Sequence, residues 1–137
     1  MRILIPDAQS FHGGVETVTT RIIQAWAKCG KAKMIWVLPP HRIQEYRERF
    51  ENNPEISFER FQWDSKHPRS LILKLLKRTN SFLAKRWEIR SNEAKLRKIA
   101  REHDCTQCFY FWPIREQFPS LKIPVFTLIC DLAWQQV

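Results

Sequence analysis

His12-Gly13-Gly14-Val15-Glu16, just beyond the first apolar run of the chain, is the stretch best suited to holding an anion. Glycine lets main-chain N–H groups approach a ligand with no Cβ in the way. A helix starting at this point aims its free amides and positive dipole end at the same place. Gly13 and Gly14 are therefore candidate phosphate contacts, and His12 beside them is a candidate contact to a phosphate or to an acceptor. The pattern is neither G-x-G-x-x-G nor G-x-x-x-x-G-K-[ST]. Glu16, in the first helical turn, also satisfies the dipole unaided. A plain strand-to-helix turn explains the same residues, and spacing leaves both readings open.

The other reactive side chains are less organised. Cys105 and Cys108 form C-x-x-C, but no second C-x-x-C or H-x-x-x-H completes a zinc site, so no metal is expected. The pair leads into a strand rather than a helix, which disfavours redox chemistry and favours burial as small apolar side chains. His41 follows a Pro-Pro pair at the same rim as His12, whereas His67 and His103 read as surface residues.

These residues are positioned by alternating elements. Arg2–Pro6, Lys33–Leu38, Ile56–Phe61, Thr106–Trp112 and Ile123–Cys130 read as strands. Val15–Cys29 reads as a helix, with Val18, Ile22, Ile23 and Trp26 on one face and Gly30 as its C′ residue. His41–Phe50 reads as a second helix, and Ser70–His103 as mostly helical with a break near Ser91-Asn92. Strand–helix alternation predicts an α/β domain, a Rossmann-like parallel sheet of about five strands in the order 3-2-1-4-5 with helices on both faces. Ligands of such sheets bind beyond the strand carboxyl ends where the order reverses, here between the first and fourth strands. The Gly13-Gly14 loop follows the first. Trp112, at the carboxyl end of the fourth, is packed in the core by default and a cleft residue by the alternative.

The 137 residues, 44% hydrophobic, fit one core-forming domain over 1–137. No run of about 18 apolar residues exists. "MRILIP" is too short for a signal h-region and is followed by Asp7, so a cytoplasmic protein is expected. The net charge of +9 is concentrated. Between Lys66 and Glu102 lie 12 of the 23 Lys and Arg but only 3 of the 14 Asp and Glu; elsewhere the charges cancel.

Two motifs resemble a known family. "GGVE" after an N-terminal strand, and "IPVFTLICDLAW" from Ile123 to Trp134, are similar to the N-terminal domain of the retaining GT-B glycosyltransferases called family 4. In that family the second motif reads P-x-V-x-T-x-H-D. The resemblance implies a Rossmann-like, acceptor-side domain that takes part in sugar transfer from a nucleotide-sugar to an acceptor, a lipid-linked or cell-envelope glycan among the options. It implies that Gly13 and Gly14 sit against the donor diphosphate and that Asp131 matches the aspartate of the family's His-Asp pair. Cys130 stands at the His position, and a thiol is a poor donor to a sugar hydroxyl. His12, Glu16 and Trp112 are the candidates for the acceptor side of the cleft. The donor is a substrate, bound mainly by a second domain with paired glutamates that this sequence does not contain, and no cofactor is implied. The expectation is an incomplete N-terminal half, inactive without a separate donor domain.

The basic segment offers a different function. Ile72, Leu76, Thr79, Leu83 and Trp87 share a helical face widened by Leu71, Leu75 and Phe82. Lys74, Lys77, Arg78, Lys85, Arg86 and Arg90 supply the charge. A basic amphipathic helix with Trp and Phe suits an anionic membrane, so a non-catalytic module docking on a membrane or partner protein, peripheral on the inner face, is the alternative. An amphipathic helix that merely covers the sheet accounts for the same pattern. Nucleic acid is disfavoured because no binding motif accompanies the charge.

Overall fold

The computed structural model describes residues 1–7, 14–62, 71, 74, 75, 78, 80–111 and 121–128. Strand β1 (Arg2–Pro6) leads to α1 (Gly14–Cys29), β2 (Lys33–Leu38), a 3-10 turn (Pro40–Arg42), α2 (Ile43–Arg49) and β3 (Ile56–Arg60). Helix α3 (Ser81–Glu102), β4 (Gln107–Tyr110) and β5 (Val125–Thr127) follow. The five strands form one sheet in the order β3-β2-β1-β4-β5, and each neighbouring pair is parallel. The fold is α/β and Rossmann-like, with its reversal between β1 and β4 as expected.

Side chains alternate across each strand, and this sorts the core into two layers. Ile3, Ile5, Met34, Trp36, Leu38, Ile56, Phe109 and Phe111 face α1 and α2, which contribute Ile23, Trp26, Ile43, Tyr46 and Phe50. Trp36 is the hub: its ring centroid lies 4.7 Å from that of Tyr46 and 5.4 Å from that of Phe50. On the opposite face Leu4, Ile35, Val37, Cys108 and Tyr110 meet Leu96, Ile99 and Ala100 of α3. The aromatic run of β4 therefore divides as a strand requires, with Phe109 edge-on to Trp26 at 5.0 Å and Tyr110 on the α3 side.

Three boundaries differ from expectation. Helix α3 runs unbroken through Ser91 and Asn92, because Asn92 is drawn into the buried stripe of the helix. The interruption lies at Asn80, extended at φ −153°, ψ 100°, whose side chain accepts from the N–H groups of Phe82 and Leu83 at 3.1 Å as an N-cap. Strand β5 is short and exposed at all three residues, as befits a sheet edge. Gly30 does terminate α1, at φ +63°, a conformation that suits glycine.

Candidate functional site at the carboxyl rim of the sheet

Three charged side chains and a tyrosine meet where β1 and β2 end. Asp7 follows β1, and its N–H donates to the Val37 carbonyl at 2.9 Å. Glu16 lies in the first turn of α1, Arg42 closes the 3-10 turn beyond β2, and Tyr46 sits one helical turn later. Arg42 is only 3% exposed, and a guanidinium taken so far from water is stable only when paired.

Its partners come from two other elements. Arg42 Nη2 donates to Glu16 Oε1 at 2.8 Å and to the Tyr46 hydroxyl oxygen at 2.6 Å. The Tyr46 hydroxyl in turn donates to Glu16 Oε1 at 2.6 Å. Asp7 Oδ2 lies 4.0 Å from Arg42 Nη1, and Arg49 Nη1 lies 3.7 Å from Glu16 Oε1. The guanidinium carbon also stands 4.7 Å from the Tyr46 ring centroid, a cation–π distance. Burial first, and then the bond to Glu16, push the Tyr46 phenol far above its usual value, so it stays a neutral donor.

Two carboxylates and two arginines thus balance at this rim. Glu16 is engaged by Arg42 and Tyr46, so its role is positioning: it ties the start of α1 to the turn after β2. This also offsets the acid that would otherwise repel an anion from the first turn of α1.

The remaining expected site residues divide in two. Gly14 is the first residue of α1. His12, Gly13, Trp112, Cys130, Asp131 and Lys77 lie outside the described residues. Lys74, Arg78, Lys85, Arg86 and Arg90 are all exposed. His41 is exposed beside Arg42. His103 is not a free surface residue: it is half-buried, with Nε2 2.9 Å from Glu59 Oε1.

Arg42 and Tyr46 are the residues that sequence reasoning passed over. The available signal was their i, i+4 spacing just after Pro39-Pro40, with the arginine ahead of an apolar helical stripe.

Cys105 and Cys108 are buried against α3. Burial pushes the Cys105 thiol up to about 11 and drives Cys108 higher still, despite a hydrogen bond from Tyr110. Both are therefore poor nucleophiles at neutral pH. Among the described residues no group of three or more His, Cys, Asp and Glu is placed to hold a metal ion. No family model matches this chain, and no curated protein or solved structure matches it either.

Proposed function

We propose that this chain is the acceptor-side, Rossmann-like domain of a GT-B glycosyltransferase, with the Gly13-Gly14 turn meeting the diphosphate of a nucleotide-sugar. One observation carries the reading. Helix α1 begins at Gly14 on the carboxyl rim beside the β1/β4 reversal, and the acid in its first turn is compensated by Arg42 and Tyr46. An α/β sheet offers its ligand crevice at that place, and a helix start with its nearby acid offset favours a phosphate there. The likeness of "GGVE" and "IPVFTLICDLAW" to the family 4 motifs supplies the reaction class, with Asp131 and Cys130 on the acceptor side and sugar transfer dependent on a donor-binding domain.

The test is an amide-resolved NMR titration of the chain with uridine diphosphate, guanosine diphosphate and inorganic pyrophosphate. Shifts centred on residues 13–16, lost in a Gly13→Val/Gly14→Val variant whose circular dichroism is unchanged, support the reading. Absence of shifts, or shifts elsewhere on the molecule, overturns it.

A further inference from the structure

The helical stretch that carries the positive charge covers the sheet with only part of its apolar surface, and its large N-terminal apolar residues stay outside. The stripe of α3 that turns inward is Ala84, Asn92, Leu96 and Ala100, in register by fours and eights. Phe82 is 70% exposed, Leu83 47% and Trp87 39%. Leu71 and Leu75, in the helical residues before Asn80, are exposed as well.

Charge shares this outer arc. Phe82, Arg86 and Arg90 are spaced by fours, as are Leu83 and Trp87, so two arginines lie in line with the phenylalanine and alongside the leucine and tryptophan. Lys74 and Arg78 are exposed on the preceding turns. No ion pair among the described residues engages Lys74, Arg78, Arg86 or Arg90. Between residues 71 and 92 the only acid is Glu88, half-buried at the margin of the inward stripe. Among the described residues no helix is long and apolar enough to cross a membrane.

From this arrangement we propose that the N-terminal half of α3, with the turns before it, lies on an anionic lipid bilayer. Phe82, Leu83 and Trp87 enter the headgroup–acyl boundary, and Arg86 and Arg90 pair with lipid phosphates. Charge complementarity selects this occupant. A strip of aromatic and aliphatic side chains lined by cations, with almost no acid, matches a surface that is apolar below and negative above. The arginine stems can lie along the apolar strip while their heads reach the phosphates. The proposal is independent of the sugar-transfer reading.

Vesicle co-sedimentation with the full chain tests it, using phosphatidylcholine alone and phosphatidylcholine with one-third phosphatidylglycerol. Binding is expected only to the anionic vesicles and should weaken as salt rises from 0.05 to 0.5 M, where the screening length falls to a few ångströms. Arg86→Gln with Arg90→Gln should weaken partitioning about 30-fold, from ~1 kcal/mol for each basic residue at the surface. Phe82→Ser with Trp87→Ser should weaken it at least ~10-fold. All of these side chains are exposed, so both variants should keep the parent melting temperature. The proposal is overturned by equal binding to neutral vesicles, by no binding to anionic ones, or by partitioning indifferent to either double variant. A concentration-dependent dimer abolished by Phe82→Ser/Trp87→Ser also overturns it, because the arc then belongs to a second copy.

Discussion

Arginine is used in two opposite ways in this molecule. At the carboxyl rim, Arg42 is buried and held by Glu16 and Tyr46, with Asp7 and Arg49 completing a balanced set. On the outer arc of α3, Arg86 and Arg90 are exposed beside uncovered apolar side chains. The rim arginine spends its hydrogen bonds inside the fold and fixes where α1 begins. The arc arginines are exposed to whatever lies outside. Net charge alone does not distinguish the two; burial and partners do.

The widest gap between the regions should appear in stability. Arg42→Met removes the cation between Glu16 and Asp7 and leaves the half-buried Glu16 carboxylate with only the Tyr46 hydroxyl and the more distant, exposed Arg49. A loss of about 3–5 kcal/mol is expected, read as a fall in the urea midpoint with an unchanged m-value. Arg86→Gln should shift the same midpoint by less than about 0.5 kcal/mol. Equal effects at the two positions would erase the distinction.

The same contrast holds along α3 itself. Leu96 has no exposed surface and packs beneath β1, β2 and β4. Leu96→Ala should therefore cost about 2–5 kcal/mol by lost transfer energy and cavity formation. Phe82→Ser, only fourteen residues earlier, should cost almost nothing. A large loss from Phe82→Ser would mean that the N-terminal half of α3 is part of the core, and the exposed arc would need another explanation.

A pH scan probes the interior without substitution. Cys105, held up to about 11, and Tyr46, Cys108 and Tyr110, pushed up further, are neutral when folded. Below the unfolded thiol value of about 9 they make no pH-dependent contribution. Above it the unfolded chain releases its protons first, so stability falls as pH rises through 9–11. Cys105 contributes about 1 kcal/mol per pH unit within that window. Urea midpoints at pH 8 and 10.5 check this, and Cys105→Ala should flatten part of the slope.

The layout was legible because its signals are local. Ile3-Leu4-Ile5 and Met34-Ile35-Trp36-Val37-Leu38 are continuous apolar runs that suit buried parallel strands. Gly30 marks a helix end without tertiary information. The alternation of elements then leaves few sheet orders, and the observed one was among them. What stayed hidden depends on distance along the chain. Glu16 meets Arg42 and Tyr46 across 26 and 30 residues, a contact that exists only once the crossover has closed. Asn92 looked like a helix breaker, but packing against the sheet overrides its weak intrinsic preference. At the candidate site, sequence reasoning named Glu16 but not the cation that holds it. It also found the apolar and basic residues of α3 without establishing which of them face outward. Helical spacing identifies neighbours on a face; it does not say which face meets the sheet.

The smallest effect is the most discriminating for the outer arc. Asn80 caps α3 through Phe82 and Leu83, and loss of such a cap typically costs about 1 kcal/mol. If the arc half of α3 is held mainly by its own helical bonds, Asn80→Ala should fray that half and leave the docked half intact. Hydrogen exchange at the amides of residues 82–86 should then accelerate about fivefold, while the global urea midpoint moves by less than about 0.5 kcal/mol. Asn80→Asp keeps an acceptor at the cap and adds a charge favourable to the helix start, so it should restore protection. Loss of the full ~1 kcal/mol from global stability, with no local change in exchange, would show that the two halves unfold as one unit. The arc would then be a rigid extension of the core, and a loosely held surface segment would be the wrong description of it.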